Sequence, residues 1–193
     1  METNRSTEAS RSGLLDQILK LSFQRGRFTL SSGAISDYYL DLRRTTLDPH
    51  GLRAAVEALW PVIEEEAITA VGGPTLGADP IVAGLILESR TRGGHLQGFL
   101  VRPAVKDHGT GRQIEGHCPA GARVAVLDDV VTRGGSTLRA VDAARSAGAE
   151  VALALALVDR EEGGRQALEQ EGIRLFAPLR VAQVLEEAAR RGL

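Results

Sequence analysis

The chain has 193 residues, enough for one domain with a sizeable core, and 43% of them are apolar. Its 23 basic and 25 acidic side chains leave a net charge of −2, which gives no electrostatic case for nucleic-acid binding. The longest apolar run, Val151 to Val158, is far too short to cross a membrane, and the lone Cys118 forbids an internal disulfide, so a reducing cytoplasm is the expected setting.

The opening METNRSTEASRSG is polar and lacks the apolar stretch of a secretion signal, so residues 1–12 are expected to be a disordered tail. Asn4-Arg5-Ser6 matches a glycosylation sequon, which has no meaning without secretion. Leu14, Leu15, Ile18, Leu19 and Leu21 then repeat at helical spacing. RFTLSSG and SDYYLDLR read as two short extended pieces around a turn. Asp48-Pro49 reads as an N-cap with proline at the first helical position, opening a helix with Leu52, Val56, Leu59 and Trp60 on one side. ITAVGG is a short strand, GGPTLGADP a glycine- and proline-rich loop, and Asp79-Pro80 repeats the cap pattern before a helix over IVAGLILES. LQGFLV is the next strand. The polar stretch RPAVKDHGTGRQIEGHCPAG that follows is long for a connection, and such loops are usually functional or disordered.

The stretch VAVLDDVVTRGGST, Val124 to Thr137, leads into a helix expected over about 135–147. VALALALV is a further apolar strand, GRQALEQEG a short helix, IRLFAPL a last strand, and Val181, Val184, Leu185 and Ala188 mark a terminal helix. Strands alternating with helices predict an α/β fold with a parallel sheet, and continuously apolar strands require helices on both faces. No repeat or linker divides the chain, so a single domain is expected. Its first forty-odd residues break the alternation and read as a small separate layer, a hood over about 13–47 on a core of about 48–193.

Ligands of open parallel sheets bind beyond the carboxyl ends of the strands, where Asp128 and Asp129 are expected. The helix start after Gly134 and Gly135 offers free backbone N–H groups and a positive dipole end to an anion, and Ser136 and Thr137 add hydroxyls. Two carboxylates beside a phosphate cup suit a sugar phosphate, since they accept from its hydroxyls and favour positive charge on its ring. The plainer alternative is a capping Asp and a flexible turn. Arg102, Lys106, His108 and Arg112 gather cations in one glycine-flanked loop, suited to a leaving group that accumulates negative charge. Arg160 follows directly on an apolar strand, where a planar guanidinium can grip a carboxylate bidentately. A zinc site at His108, His117 and Cys118 lacks standard spacing and a fourth ligand.

These motifs resemble the type I phosphoribosyltransferase family. VAVLDDVVTRGGST is similar to its ribose-phosphate motif, and three further stretches narrow the resemblance to the orotate branch: FTLSSGAISDYYLDLR is similar to the hood over the base, RPAVKDHGTG to the mobile catalytic loop, and VDREEGG to the strand end that reads orotate. The resemblance spans about residues 28–164. It implies transfer of a phosphoribosyl group from phosphoribosyl pyrophosphate (PRPP) to orotate. It implies Mg²⁺ as cofactor, held mainly by PRPP rather than by a protein metal site, and a homodimer with shared active sites.

By the same resemblance Lys106, His108, Asp128 and Asp129 are catalytic. PRPP contacts fall to Arg102, Lys106, His108, Asp128, Asp129, Val130, Val131, Thr132, Arg133, Gly134, Gly135 and Ser136. Thr132 and Arg160 contact orotate, and Tyr38 and Tyr39 are candidate walls for the base, although alternation points only one of them inward. Three positions depart from the common pattern by lacking a lysine: Ser31, Pro103 and the Gly73–Gly77 loop; Arg133 replaces a small residue. That leaves Arg102, Lys106 and Mg²⁺ to balance more of the phosphate charge. Two rivals remain at this point. One is a purine-specific enzyme of the same fold, which would need no cation for a carboxylate. The other is a non-catalytic PRPP sensor, which would be expected to carry a basic face or an added domain.

Overall fold

The computed structural model describes residues 2–29, 33, 35–103 and 113–193. Helix α1 (Glu2–Leu21) leads into a hairpin of β1 (Phe23–Thr29) and β2 (Ile35–Leu40), and a single turn α2 (Arg43–Thr46) follows. The core then runs α3 (Pro49–Glu65), β3 (Ala70–Pro74), α4 (Asp79–Thr91), β4 (Gln97–Val101), β5 (Ile114–Gly116), β6 (Arg123–Val131) and α5 (Gly135–Ser146). It closes with β7 (Glu150–Asp159), α6 (Gly164–Gln170), β8 (Leu175–Phe176), β9 (Leu179–Arg180) and α7 (Val181–Arg190).

The main sheet has the order β5-β4-β3-β6-β7, with β8 and β9 both paired to β7. All its pairings are parallel except β4 with β5. Both faces are covered. Leu127, Leu153, Leu155 and Leu157 pack toward α1, α3, α4 and α7, while Val124, Val126, Ala154 and Ala156 pack toward α5 and α6. This is why β6 and β7 are continuously apolar rather than alternating. At the start of α3, Asp48 caps as its sequence predicts: its carboxylate accepts from the N–H groups of His50 at 2.9 Å and Gly51 at 3.0 Å, with Pro49 at the first helical position.

The structure corrects four expectations. Residues 2–12, read as a tail, continue α1 as a polar extension, which has no apolar periodicity for a sequence pattern to register. Leu14 and Ile18 on that helix are buried with α3 residues, so α1 belongs to the core's helical layer; α2 joins it, with Thr45 and Thr46 buried, and only the β1–β2 hairpin forms a sheet of its own as hood. Asp79 is not a cap: Ala78 holds that position, because the turn that bonds Ala78 N–H to Pro74 C=O draws the helix start back. The last strand is two, β8 and β9, separated by Pro178, which has no N–H for the ladder. The long connection after β4 also contains β5, which folds back antiparallel so that Phe99 pairs with Gly116.

Candidate active site

The carboxyl ends of β3, β4, β6 and β7 form one edge, and the site is built there. Parallel pairing sets Val131 of β6 level with Asp159 of β7. Asp128 and Asp129 sit three and two residues before that end. Asp128 is 7% exposed, and its Oδ2 accepts the Ser136 hydroxyl at 3.0 Å while its Oδ1 accepts the Asp129 N–H at 3.0 Å. Asp129 Oδ1 accepts the Val130 N–H at 2.8 Å. Both carboxylates face the β3–α4 loop: a Cβ placed on Gly77 would lie 2.6 Å from Oδ1 of each. Just before that loop, near the end of β3, a Cβ on Gly73 would lie 1.7 Å from the Leu127 carbonyl oxygen of β6. The Thr75–Leu76 peptide in this loop is cis.

Burial pushes the Asp128 carboxyl up from 3.8 to about 7, and the adjacent Asp129 charge adds to the effect. Burial also raises Asp129, against the lowering influence of its hydrogen bonds and of the Arg43 cation. Hydroxyl donors or a cation brought to this pair would favour its ionised form.

The turn after β6 opens α5 at Gly134, which has φ of +79° and no side chain to cap the helix. The first N–H groups of α5 are therefore left for a ligand, beside the Ser136 hydroxyl. The turn is braced from β7: Arg160 N–H donates to Val131 C=O and Gly164 N–H to Thr132 C=O, each at 2.9 Å. Gly164 packs closely on this turn: a Cβ there would lie 2.5 Å from Val131 Cγ1 and 3.1 Å from Gly134 N. Val130 and Val131 put their side chains into the two cores and their N–H and C=O groups into this bracing, so they shape the turn. Arg133 and Gly135 are exposed, and Thr132 and Ser136 partly so.

Across this edge stands Arg160, with a side chain 13% exposed. Its Nη2 donates to the Tyr38 hydroxyl at 2.9 Å, and its guanidinium carbon lies 5.2 Å from the centre of the Tyr38 ring. Its Nε lies 3.0 Å from Glu162 Oε1 as an ion pair, without hydrogen-bond alignment. Tyr38 also stacks on Phe23 at 6.3 Å between centroids. Tyr39 points the other way, is exposed and pairs with Phe28 at 5.4 Å, so it is separated from the group formed by Tyr38 and Arg160.

The turn carrying Arg160 is held by Asp159, a residue the sequence reading did not single out. Asp159 is 2% exposed; its Oδ1 accepts from Glu161 N–H at 2.9 Å and its Oδ2 from Arg165 Nε at 2.9 Å. These bonds support Glu161 at φ +57°, an uncommon conformation for a residue with a side chain. For Gly77 the resemblance implies only backbone N–H groups of the Gly73–Gly77 loop offered to pyrophosphate, and no contact with the two aspartates. Its face-to-face placement with Asp128 and Asp129 depends on strand order, which leaves no local mark in the chain.

Arg102, after β4, donates from Nη1 to Glu115 at 3.2 Å. Lys106, His108 and Arg112 lie outside the described residues. Among the described residues no group of three or more His, Cys, Asp or Glu side chains could hold a metal, which includes His117 and Cys118. Asp128 and Asp129 do match the one or two carboxylates with which a protein shares Mg²⁺ with substrate phosphates. Cys118 is a free thiol whose pKa is raised by burial. No helix of the described residues is long and apolar enough to cross a membrane.

No family model matches the chain. Whole-chain comparisons do find relatives. An orotate phosphoribosyltransferase of Aquifex aeolicus is 46% identical over 158 residues, covering 82% of this chain and 86% of the relative. The orotate phosphoribosyltransferase of Mycobacterium tuberculosis, solved in complex with Fe(III) dicitrate, superimposes with a TM-score of 0.81 at 38% identity, over 91% of this chain and 98% of the other. The same enzyme solved with PRPP gives a TM-score of 0.76 at 34% identity, again over 91% and 98%. With that identity spread over most of both chains, on a sheet edge that joins paired aspartates, a helix N-terminus and Arg160, the chain belongs to the orotate phosphoribosyltransferase family, of type I phosphoribosyltransferase fold.

Proposed function

We propose that the chain transfers the phosphoribosyl group of PRPP to orotate, releasing pyrophosphate and forming orotidine 5′-monophosphate, a step of pyrimidine biosynthesis. One observation carries the reading: Asp128 and Asp129 lie beside the open N-terminus of α5, on the sheet edge that also bears the Arg160 guanidinium. A ligand with a phosphate, vicinal hydroxyls and a carboxylated partner meets complementary chemistry at each point. The membership of relatives named for this activity supports it.

In this proposal the turn Thr132–Ser136 takes the 5-phosphate on backbone N–H groups and the Ser136 hydroxyl, with Arg133 at its rim. Asp128 and Asp129 accept from the ribose hydroxyls. As the C1–O bond breaks, the ring gains positive charge, and two nearby carboxylates stabilise it. Arg160 holds the orotate carboxylate, with Thr132 adjacent. Arg102, Lys106 and His108 meet the pyrophosphate, whose charge grows in the same step. Mg²⁺ bound with PRPP would neutralise part of that charge, with Asp128 and Asp129 as the carboxylates nearest to hand.

A homodimer is part of the same proposal. Leu47 and Leu76, 75% and 68% exposed, share a hollow of about 540 Å³ with Pro80, which Asp41, Arg43, Arg44 and Asp79 also line. Leu87, 70% exposed, lies two helical turns beyond Pro80 on α4, so the apolar strip continues along that helix. An exposed apolar strip of this kind suits a second copy of the chain. A cytoplasmic setting is proposed from the single cysteine, Cys118.

The test is product formation from orotate and PRPP, with and without Mg²⁺, with adenine, guanine and xanthine offered in parallel. Orotidine 5′-monophosphate and pyrophosphate in equal amounts, dependent on Mg²⁺, are expected. Transfer to a purine, or PRPP binding without turnover, would replace this reading with one of its rivals.

A further inference from the structure

We infer that Tyr38 and Glu162 are positioning residues for orotate: together they aim the Arg160 guanidinium at the substrate carboxylate and decide which of its edges the carboxylate meets. The inference rests on the reading of Arg160 as the carboxylate-binding group.

A guanidinium has five N–H donors in a rigid plane, and a free one turns about the bonds of a long chain. Here one donor is bonded and a second edge is covered by a carboxylate. Nη2 donates to the Tyr38 hydroxyl at 2.9 Å, and Nε faces Glu162 Oε1 at 3.0 Å. Among the described residues no hydrogen bond uses Nη1. Nη1 and the second Nη2 hydrogen therefore form the fork left for a carboxylate, met end-on. Packing limits rotation as well: the guanidinium lies 5.2 Å from the Tyr38 ring centre, and that ring is stacked on Phe23. The Tyr38 hydroxyl accepts from Arg160, so its own proton is available to the same incoming carboxylate.

The two partners come from different parts of the fold. Glu162 is on the β7–α6 turn, held by the Asp159 bonds to Glu161 N–H and Arg165. Tyr38 is on β2 of the hood, where the Ser36 hydroxyl donates to its carbonyl oxygen at 2.7 Å. Arg160 is thus fixed only when hood and core are in register. Tyr38, expected from its sequence as a wall for the base, has its polar end committed to the arginine instead.

The experiment compares Tyr38→Phe, Glu162→Gln, Glu162→Asp and Arg160→Ala by steady-state kinetics, with both substrates varied. Tyr38→Phe keeps the ring and loses the acceptor; Glu162→Gln keeps the shape and loses the charge. Each should raise the KM for orotate about tenfold, with the KM for PRPP changed by less than about twofold. Glu162→Asp should recover much of the loss. In the Arg160→Ala background, Tyr38→Phe should add nothing further, because its effect passes through the missing guanidinium. An unchanged KM for PRPP reports an intact sheet edge and separates positioning from misfolding. If Arg160→Ala raises the orotate KM but neither partner variant does, the positioning role is wrong while the assignment of Arg160 stands. If Arg160→Ala leaves the orotate KM unchanged, the assignment itself fails, and the positioning role with it. Equal rises in both Michaelis constants for the partner variants would mark them as structural and overturn the inference.

Discussion

Ser136 and Asp128, on opposite sides of the turn after β6, are joined by a hydrogen bond of 3.0 Å from the hydroxyl to Oδ2. The bond ties the first turn of α5 to the paired carboxylates, so the proposed phosphate cup and the acids proposed to face the ribose form one unit. In the proposed function, two carboxylates end an otherwise apolar strand because that end faces the substrate rather than the core.

Asp129→Asn should keep the fold and lower turnover by about a hundredfold, the ~3 kcal/mol expected for one charge contact directed at the transition state. Asp128→Asn should be milder, because an amide oxygen can still accept the Ser136 hydroxyl. Turnover in both variants at the parent rate, measured by orotate consumption, would favour simple capping roles for the two residues.

The Asp128 carboxyl also makes stability depend on pH. Its folded pKa of about 7 stands above the ordinary 3.8, so between those values the native state holds more protons than the unfolded chain. The stabilisation from this group is full below pH ~4 and is lost as pH rises through about 7. Asp128→Asn should remove that loss, leaving the variant less active yet more stable than the parent at pH 8. Urea midpoints for both proteins from pH 5 to 8 check this; parallel curves would show that Asp128 ionises freely in the folded protein.

Two glycines, Gly73 in β3 and Gly77 in the β3–α4 loop, should behave differently. At Gly77 a methyl group meets the ends of two aspartate side chains at 2.6 Å, so Gly77→Ala should displace the carboxylates, raise the KM for PRPP and lower turnover with a modest change in stability. At Gly73 the same change meets a strand carbonyl at 1.7 Å, which cannot give way, so Gly73→Ala should fail to fold stably. Thermal midpoints measured beside kinetics separate the two outcomes.

Lys106→Ala should lose ~10²–10³ in turnover while PRPP still binds, if the lysine meets pyrophosphate mainly in the transition state. Mixing it with Asp129→Asn protein tests the shared-site dimer. Hybrid dimers would hold one site free of both lesions, so activity should exceed that of either variant alone. Demonstrated subunit exchange with no recovery would assign the loop to its own subunit's site.

Much of this molecule was legible along the chain. The α/β alternation, the apolar strands and the Asp48 cap depend on neighbours in sequence, and the structure repeats them. Asp128, Asp129 and the glycine turn were legible for the same reason: strand, acids, turn and helix start are contiguous, so their order alone places them at a sheet edge. The polar extension of α1 and the division of β8 from β9 were less visible, since backbone hydrogen bonding continues where side-chain periodicity is silent and a single proline interrupts a ladder. Tertiary structure alone set Gly77 against the two carboxylates, because β3 lies beside β6 although some fifty residues separate them. It likewise chose Tyr38 over Tyr39. Alternation requires one of them to face inward, and only the docking of the hood on the β7–α6 turn puts a guanidinium within reach of that one hydroxyl.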